Sequence, residues 1–409
     1  MPIDLTRRSV LASSAVALAA SALPIAARAA SPELHPFRID IPQAVLDDLA
    51  DRLARTRWPN AEPVADQSQG VPLARMKALV EHWRTRYDWR RVETVMNGYP
   101  QFVTEIDGLD IHFLHIRSPH AGARPLIMTH GWPGSTVEFL KVIGPLTDPT
   151  RHGGTAEDAF HLVLPSLPGY GFSGKPREPG WGLQRTARAW DTLMRRLGYT
   201  RYLAQGGDWG AGVTHALGAM APEGLAGLHA NMLFVAPPER PVAPTPEEQA
   251  AFAQLDTFFD DGAGYAHIQR TRPQTIGYAL ADSPVGQAAW IYEKFAQWTD
   301  SGGDPETVLT TDEMLDDIMV YWLTNSAASS ARLYWENGSR GFEMVPIAVP
   351  VGVTIFPGEL YRPPQSWAER TYSDLRYFNR APRGGHFAAF EQPEIFVNEL
   401  RAAFRTMPI

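Results

Sequence analysis

The segment Gly206–Gly210, which reads GGDWG, constrains the fold of this chain more than any other feature. It follows a short strand-like run at 202–204 and precedes a helix-like apolar pattern over 213–220. Small residues around one reactive residue at a strand-to-helix junction are typical of a nucleophile elbow. This elbow carries Asp208 where a serine is usual. A carboxylate attacks carbonyl carbon poorly, but it attacks saturated carbon that bears a leaving group and then forms an alkyl ester on the enzyme.

Two other interpretations of the glycine-rich segment are less favoured. Asp208 could cap a helix, because a carboxylate accepts hydrogen bonds from the N–H groups of a first turn. A cap does not need glycines on both sides, whereas the tight packing of an elbow does. A nucleotide-binding loop needs a G-x-G-x-x-G order or a P-loop lysine, and the segment has neither. The sequence therefore favours a nucleophile at Asp208.

The composition is that of a globular protein and excludes several kinds of chemistry. The 409 residues are 44% hydrophobic and 20% charged, and the formal net charge is −8. Because the chain is acidic and has no long basic run, we do not expect it to bind nucleic acid. The absence of cysteine excludes disulfides, thiolate metal sites and cysteine catalysis. No metal ion or organic cofactor is expected.

The N-terminal residues 1–29 predict an export signal. Arg7 and Arg8 precede a run rich in alanine, leucine and valine over 10–23, and small residues follow at the cleavage motif 27–29. This order resembles a twin-arginine signal, which directs folded proteins to the bacterial periplasm. The apolar run is shorter than the roughly 20 residues that span a bilayer. An uncleaved membrane anchor is the alternative, and after cleavage no stable anchor is expected.

The rest of the chain predicts a mostly parallel sheet with an inserted helical cap. Residues 30–124 predict an N-terminal region with two helices and a β-hairpin that turns at 107–108. Apolar strands alternate with helices over 125–236 and return in 343–409, which is typical of an α/β sheet domain. The interval 237–342 is helical and rich in aromatic residues, and we interpret it as the cap. The first helix is expected to bury one face, which is formed by Val45, Leu46, Leu49 and Leu53.

Residues near the C-terminus predict a base and its orienting acid. His386 stands in the segment GGHF after the last predicted strand, and histidine is the side chain best suited to base catalysis near neutral pH. Glu359 follows an apolar strand and is the favoured acid, with Asp374 and Glu391 as alternatives. The order nucleophile, acid, histidine is that of the α/β-hydrolase fold. We predict that water activated by His386 hydrolyses the ester on Asp208.

The loop His130–Ser135, which reads HGWPGS, directly follows the predicted strand at 126–129. A loop in this position can supply a backbone N–H group to an oxyanion. The predicted donors are the backbone N–H groups of Trp132 and Trp209, and their target is the tetrahedral intermediate of ester hydrolysis. His130 itself is interpreted as a packed loop residue and not as the base.

These ordered motifs resemble the microsomal type of epoxide hydrolase within the α/β-hydrolase superfamily. The similarity extends from about Phe37 to the C-terminus. The segments WRTRYDWR at 83–90 and YPQF at 99–102 are similar to the N-terminal strap region of that family. The HGWPGS loop, the GGDWG elbow and the GGHF turn resemble its core motifs. One departure is the export-like N-terminus, because the microsomal type begins with a membrane anchor.

Two cap segments extend the resemblance. GYAHIQ at 264–269 and RLYWEN at 332–337 are similar to the segments that carry the family's two cap tyrosines. The resemblance implies that Tyr265 and Tyr334 hydrogen-bond the epoxide oxygen and donate as its C–O bond breaks. A phenol with a pKa of about 10 is protonated at neutral pH and suits this task. The aromatic cap further predicts an apolar substrate.

The predicted reaction converts an apolar epoxide and water into a vicinal diol. Haloalkane dehalogenases are the nearest alternative, because they also carry an aspartate followed by a tryptophan whose indole N–H holds halide. Trp209 therefore does not discriminate between the two, whereas the cap tyrosines and the long N-terminal region favour the epoxide. A non-catalytic binding protein on the same fold is a third hypothesis, and a complete set of nucleophile, acid and base argues against it.

Overall fold

The structure is a computed structural model that describes residues 33–233, 235, 238–338 and 345–407. The predicted export signal at 1–29 lies outside the described residues, as do the two predicted limits of the cap at 237 and 342. Within the described part of the chain, no helix combines the length and apolarity needed to cross a membrane.

The described residues form a nine-stranded sheet at the centre of the fold. In chain order the strands are β1 (His35–Phe37), β2 (Gln101–Ile106), β3 (Leu109–Ile116), β4 (Arg124–Thr129), β5 (Phe160–Pro165), β6 (Tyr202–Gly206), β7 (Leu225–Ala230), β8 (Val351–Ile355) and β9 (Leu375–Arg380). Their order across the sheet is β1-β2-β3-β5-β4-β6-β7-β8-β9. Pairing is antiparallel from β1 to β5 and parallel from β5 to β9. The predicted mostly parallel sheet is thus confirmed, with an antiparallel extension at one edge.

Helices cover both faces of this sheet and fill the interval between β7 and β8. The N-terminal helices are α1 (Gln43–Ala54), α2 (Leu73–Thr85) and α3 (Trp89–Asn97). The helices that follow within the sheet domain are α4 (Leu140–Thr147), α5 (Leu183–Arg196) and α6 (Asp208–Met220). The cap consists of α7 (Pro246–Thr257), α8 (Gly264–Thr271), α9 (Pro273–Asp282), α10 (Pro284–Trp298), α11 (Thr311–Leu323) and α12 (Ala327–Gly338). After β8 come α13 (Gln365–Thr371), α14 (Ala388–Glu391) and α15 (Pro393–Arg405).

Alternate residues of the central strands enter different hydrophobic cores. In β4, Leu126 and Met128 belong to one buried cluster, whereas Ile127 between them belongs to the other. Side chains of a strand alternate between its two faces, so a sheet covered on both sides is buried throughout. This arrangement leaves the carboxyl ends of the parallel strands as the edge where loops from several strands meet.

The predicted hairpin is confirmed, but two other expectations were wrong in detail. Asp107 and Gly108 adopt positive φ values of 52° and 77° at the turn between β2 and β3. Val45, expected on the buried face of α1, is 38% exposed, because it lies in the first turn of a helix that packs mainly through Leu49 and Leu53. The strand expected at 228–233 begins and ends earlier, as β7.

Candidate active site

The elbow holds Asp208 in a backbone conformation that few residues adopt. Asp208 begins α6 immediately after β6, and its φ is 50°. Such left-handed geometry costs a non-glycine residue about 1–3 kcal/mol and persists where the surroundings enforce it. The neighbouring glycines allow the close backbone packing that holds Asp208 in this conformation. A Cβ atom at Gly206 would collide with the backbone of Gly210, and one at Gly210 would collide with the carbonyl oxygen of Thr129.

The imidazole of His386 lies between two carboxylates. Its Nε2 atom is 3.3 Å from Oδ2 of Asp208, and its Nδ1 atom is 2.7 Å from Oε1 of Glu359. The side chains of His386 and Glu359 are 3% and 0% exposed. Burial lowers the pKa of His386, but the charges and hydrogen bonds of Glu359 and Asp208 outweigh this effect and raise the pKa well above its ordinary value. The two carboxyl groups therefore stabilise the imidazolium form of His386.

The two alternative orienting acids have other partners. Asp374 precedes β9 and forms an ion pair of 2.8 Å with Arg376. Glu391 accepts backbone hydrogen bonds of 2.9 Å from Asp300 and from Gly385, and so holds the loop that carries the histidine. Burial raises the pKa of Glu391 to about 7. The carboxylate that contacts the imidazole is the favoured one, Glu359.

The HGWPGS loop brings one predicted oxyanion donor to the nucleophile. The backbone N–H of Trp132 donates to Oδ1 of Asp208 over 2.8 Å. The same N–H is therefore positioned for a negative charge that develops on this oxygen. Trp209, the second predicted donor, lies in the first turn of α6, and the donor role of its backbone stays a prediction.

His130 has the packed environment that we expected for it. Its Nδ1 atom lies 2.9 Å from the carbonyl oxygen of Gly131, and its Nε2 atom accepts the backbone N–H of Leu167 over 3.2 Å. Burial lowers the pKa of His130 to about 4. The ring is therefore neutral at physiological pH and fixes the loop through both nitrogens.

The two cap tyrosines lie side by side above the elbow. Tyr265 comes from α8 and Tyr334 from α12, each is 7% exposed, and their ring centroids are 5.8 Å apart. Tyr265 stacks on Trp132 at 5.0 Å, and Tyr334 meets Trp209 edge-on at 4.7 Å. Burial raises the pKa of both phenols, and the charge of Asp208 adds to this effect. Both tyrosines are thus protonated hydrogen-bond donors at neutral pH.

Two cap residues beside the site were not singled out by the sequence. Trp298 packs its ring 5.0 Å from His386 and 5.2 Å from Tyr265, and its carbonyl oxygen accepts the backbone N–H of His386 over 2.8 Å. Lys294, which is 2% exposed, lies 4.4 Å from the centroid of the Tyr265 ring and pairs with Glu293 at 3.1 Å. Both residues belong to the aromatic-rich helix α10, and a lysine within such an apolar run is the signal that the sequence offered.

Comparisons with known proteins agree with this geometry. The family described as "Epoxide hydrolase N terminus" matches residues 34–139, and the family described as "alpha/beta hydrolase fold" matches residues 124–275. A putative epoxide hydrolase from Stigmatella aurantiaca is 60% identical over 375 residues, which cover 91% of this chain and 85% of the relative. Epoxide hydrolase 1 of Oryctolagus cuniculus is 37% identical over 405 residues, which cover 90% of this chain and 88% of that protein.

Solved structures give the same result. The epoxide hydrolase of Aspergillus niger superposes with a TM-score of 0.82 at 35% identity, covering 93% of this chain and 98% of that one. The juvenile hormone epoxide hydrolase of Bombyx mori superposes with a TM-score of 0.83 at 32% identity, covering 92% and 95%. By sequence along nearly its whole described length, and by fold, this chain belongs to the epoxide hydrolase family.

Proposed function

We propose that this chain converts an apolar epoxide and water into a vicinal diol through an ester between the substrate and Asp208. The observation that carries the proposal is the pair of buried phenols, Tyr265 and Tyr334, beside a nucleophilic carboxylate. An epoxide needs a nucleophile at carbon and a proton donor at oxygen, and the site offers both. Trp132 and Trp209, which the tyrosines contact, lie on the two segments that hold Asp208.

In the first half-reaction, Oδ2 of Asp208 is the attacking atom. Oδ1 accepts the backbone N–H of Trp132 over 2.8 Å, whereas the contact of Oδ2 with Nε2 of His386 is longer, at 3.3 Å, so we assign the attack on the substrate carbon to Oδ2. As the new C–O bond forms, the epoxide C–O bond breaks and its oxygen takes a proton from Tyr265 or Tyr334. The imidazolium of His386 then supplies the proton that converts the phenolate back to a phenol. The product is a neutral hydroxyalkyl ester with a neutral imidazole beside it.

In the second half-reaction, ester formation itself prepares the base. The ester has no negative charge at Asp208, so one of the two anions that raise the pKa of His386 is lost. Nε2 of His386 then takes a proton from water while the water oxygen bonds to Cγ of Asp208. The oxyanion forms on Oδ1, beside the Trp132 N–H. When the ester C–O bond breaks, the diol oxygen takes a proton from His386 and Asp208 is left as a carboxylic acid. That acid then passes the second proton of the attacking water to Nε2 of His386, which restores the carboxylate and the imidazolium.

One contact favours the epoxide over a haloalkane. A dehalogenase uses the indole N–H after its aspartate to hold halide, but here the indole ring of Trp209 packs edge-on against the ring of Tyr334, with centroids 4.7 Å apart. The indole therefore supports the orientation of a phenol. Trp209 did not discriminate between an epoxide hydrolase and a haloalkane dehalogenase in the sequence. Its contact with Tyr334 favours the epoxide hydrolase.

A single turnover in water enriched in ¹⁸O tests this mechanism. The first diol should be unlabelled, because its new oxygen comes from Asp208, and label should enter the carboxylate and later diols. His386→Gln should trap an enzyme heavier by the mass of the epoxide, and Asp208→Asn should not. Label in the first diol would contradict the ester, and halide release from chloroalkanes without any diol from epoxides would support the dehalogenase.

We also propose that the chain is exported by the twin-arginine route and acts in the periplasm on apolar epoxides, such as those formed during the breakdown or detoxification of aromatic hydrocarbons. The motif at Arg7 and Arg8 and the cleavage site after Ala29 support the export. Replacing both arginines by lysine should retain the protein in the cytoplasm, and the wild-type protein should begin at Ala30. A full-length protein in the membrane fraction would support the uncleaved anchor.

A further inference from the structure

A small cavity adjoins the nucleophile on its sheet-domain side. It encloses about 20 Å³, which suffices for one water molecule and is too small for an organic ligand. Its polar side chains are Glu138, Asn231, Asp208 and His386, and glycines and apolar side chains complete the wall. Among the described residues that line it, none comes from the cap helices α7 to α12. The cavity is therefore distinct from the side of Asp208 that faces the cap tyrosines.

We propose that this cavity holds the water that hydrolyses the ester and that Glu138 positions it, an inference that rests on the function proposed above. One O–H of the water donates to Nε2 of His386, and the other donates to the carboxyl of Glu138. These two bonds direct the oxygen lone pair to Cγ of Asp208. Water thus attacks from the sheet-domain side while the alkyl group of the ester remains on the cap side.

The local structure supports a positioning role for Glu138. The sequence Ser135–Glu138 has the S-x-x-E order of a capping box, in which the glutamate binds back to the first residue. In the structure, Oγ of Ser135 accepts the N–H of Val137, and the Glu138 carboxyl instead lies at the cavity and against Gly134. A Cβ atom at Gly134 would lie only 3.0 Å from that carboxyl, so the glycine leaves the space that the carboxyl occupies.

The charge state of Glu138 fits the same role. Burial raises the pKa of Glu138 well above its ordinary value, and the nearby charges of Asp317 and Asp208 add to the effect, whereas His386 opposes it. A neutral carboxyl does not compete with His386 for the proton of the water, yet its carbonyl oxygen still accepts a hydrogen bond. It also adds no second negative charge beside the oxyanion.

Three variants test the proposal by separating ester formation from ester decay. Rapid-quench mass spectrometry of the protein gives both rates in a single turnover. Glu138→Met keeps the approximate size but removes the acceptor, and it should slow ester decay on the order of 10²-fold while ester formation changes less than about threefold. Ala389→Val fills the cavity from another element and should have the same selective effect. Glu138→Gln keeps an acceptor oxygen and should restore most of the decay rate.

Asp317→Asn is the matched control, because Asp317 is buried beside Glu138 but does not line the cavity. It should leave the decay rate near that of the wild type. Ester decay at the wild-type rate in both Glu138→Met and Ala389→Val would overturn the proposal. If Glu138→Met does not fold, the decay rate of Ala389→Val decides alone. Absence of any ester in the wild type would instead refute the proposed function, so the two failures are distinguishable.

Discussion

Glu359→Gln should slow ester hydrolysis strongly and leave ester formation nearly unchanged. The substitution preserves the shape of the side chain and an acceptor oxygen 2.7 Å from Nδ1 of His386, but it removes the negative charge. In ester hydrolysis His386 must become an imidazolium, and with Asp208 esterified the Glu359 carboxylate is the remaining anion in contact with it. Ester formation needs no such new positive charge, which is why the effect is selective.

The size of the effect follows from the burial of the pair. A hydrogen bond to a charged group is worth about 1.5–3 kcal/mol, and both partners here are almost fully enclosed. Since about 1.4 kcal/mol corresponds to a factor of ten, ester decay should slow by about 10- to 150-fold. The pH at which decay reaches half of its maximal rate should also fall, because an imidazole without its anionic partner has a lower pKa.

The assay is the decay of the ester after rapid mixing with excess enzyme, followed by protein mass over a range of pH. Asp374→Asn is the control, because Asp374 was an alternative orienting acid and its partner is Arg376 on the surface. That variant should behave as the wild type. A wild-type decay rate in Glu359→Gln, or a large loss in Asp374→Asn, would refute the assignment of Glu359.

Four further variants probe the cap, the elbow and one buried acid. Tyr265→Phe and Tyr334→Phe should each slow ester formation on the order of 10²-fold but not its decay, as single-turnover kinetics would reveal. Gly210→Ala should destabilise the fold by about 1–3 kcal/mol or more, because its Cβ atom would collide with the carbonyl of Thr129; an unchanged melting temperature would contradict this. Asp317, whose pKa burial raises from 3.8 to about 8, stabilises the fold in its neutral form. That contribution is complete below pH 4 and is lost as the pH rises through 8, so between pH 6 and pH 9 the wild type should lose more thermal stability than Asp317→Asn.

The elbow could be predicted from the sequence because steric contacts restrict which residues its positions accept. Gly206 and Gly210 are fixed by the close approach of other backbone, and Asp208 stands between them in a strained conformation. The backbone that approaches Gly206 is that of Gly210, and the backbone that approaches Gly210 is that of Thr129 in β4. Both contacts restrict the position to glycine, and the pattern of glycines is visible in the sequence. The wrong assignment of Val45 has the opposite origin, since helical periodicity defines a face but not which turn of that face meets a neighbour.

Residues whose role depends on distant segments were harder to find. Glu359, Asp374 and Glu391 all stand near strand or loop ends, and only the arrangement of β8 and the GGHF loop brings Glu359 to the imidazole. Glu138 and Asn231 follow β4 and β7, which do not pair with each other, and they meet only at the common edge of the sheet. Periodicity and spacing in the sequence do not indicate that two such distant residues lie close together in the fold.

The groups on the two sides of Asp208 explain how one carboxylate can serve two successive reactions. The phenols of Tyr265 and Tyr334 lie on the cap side, where a proton must reach the epoxide oxygen. The carboxyl of Glu138 lies at the sheet-domain side, where a water must meet Cγ of the ester. His386 is close to Oδ2 of Asp208 and lines the cavity, so it can pass protons on both sides. Substrate and water then need not exchange places between the half-reactions, and a variant that alters one side should leave the rate on the other side unchanged.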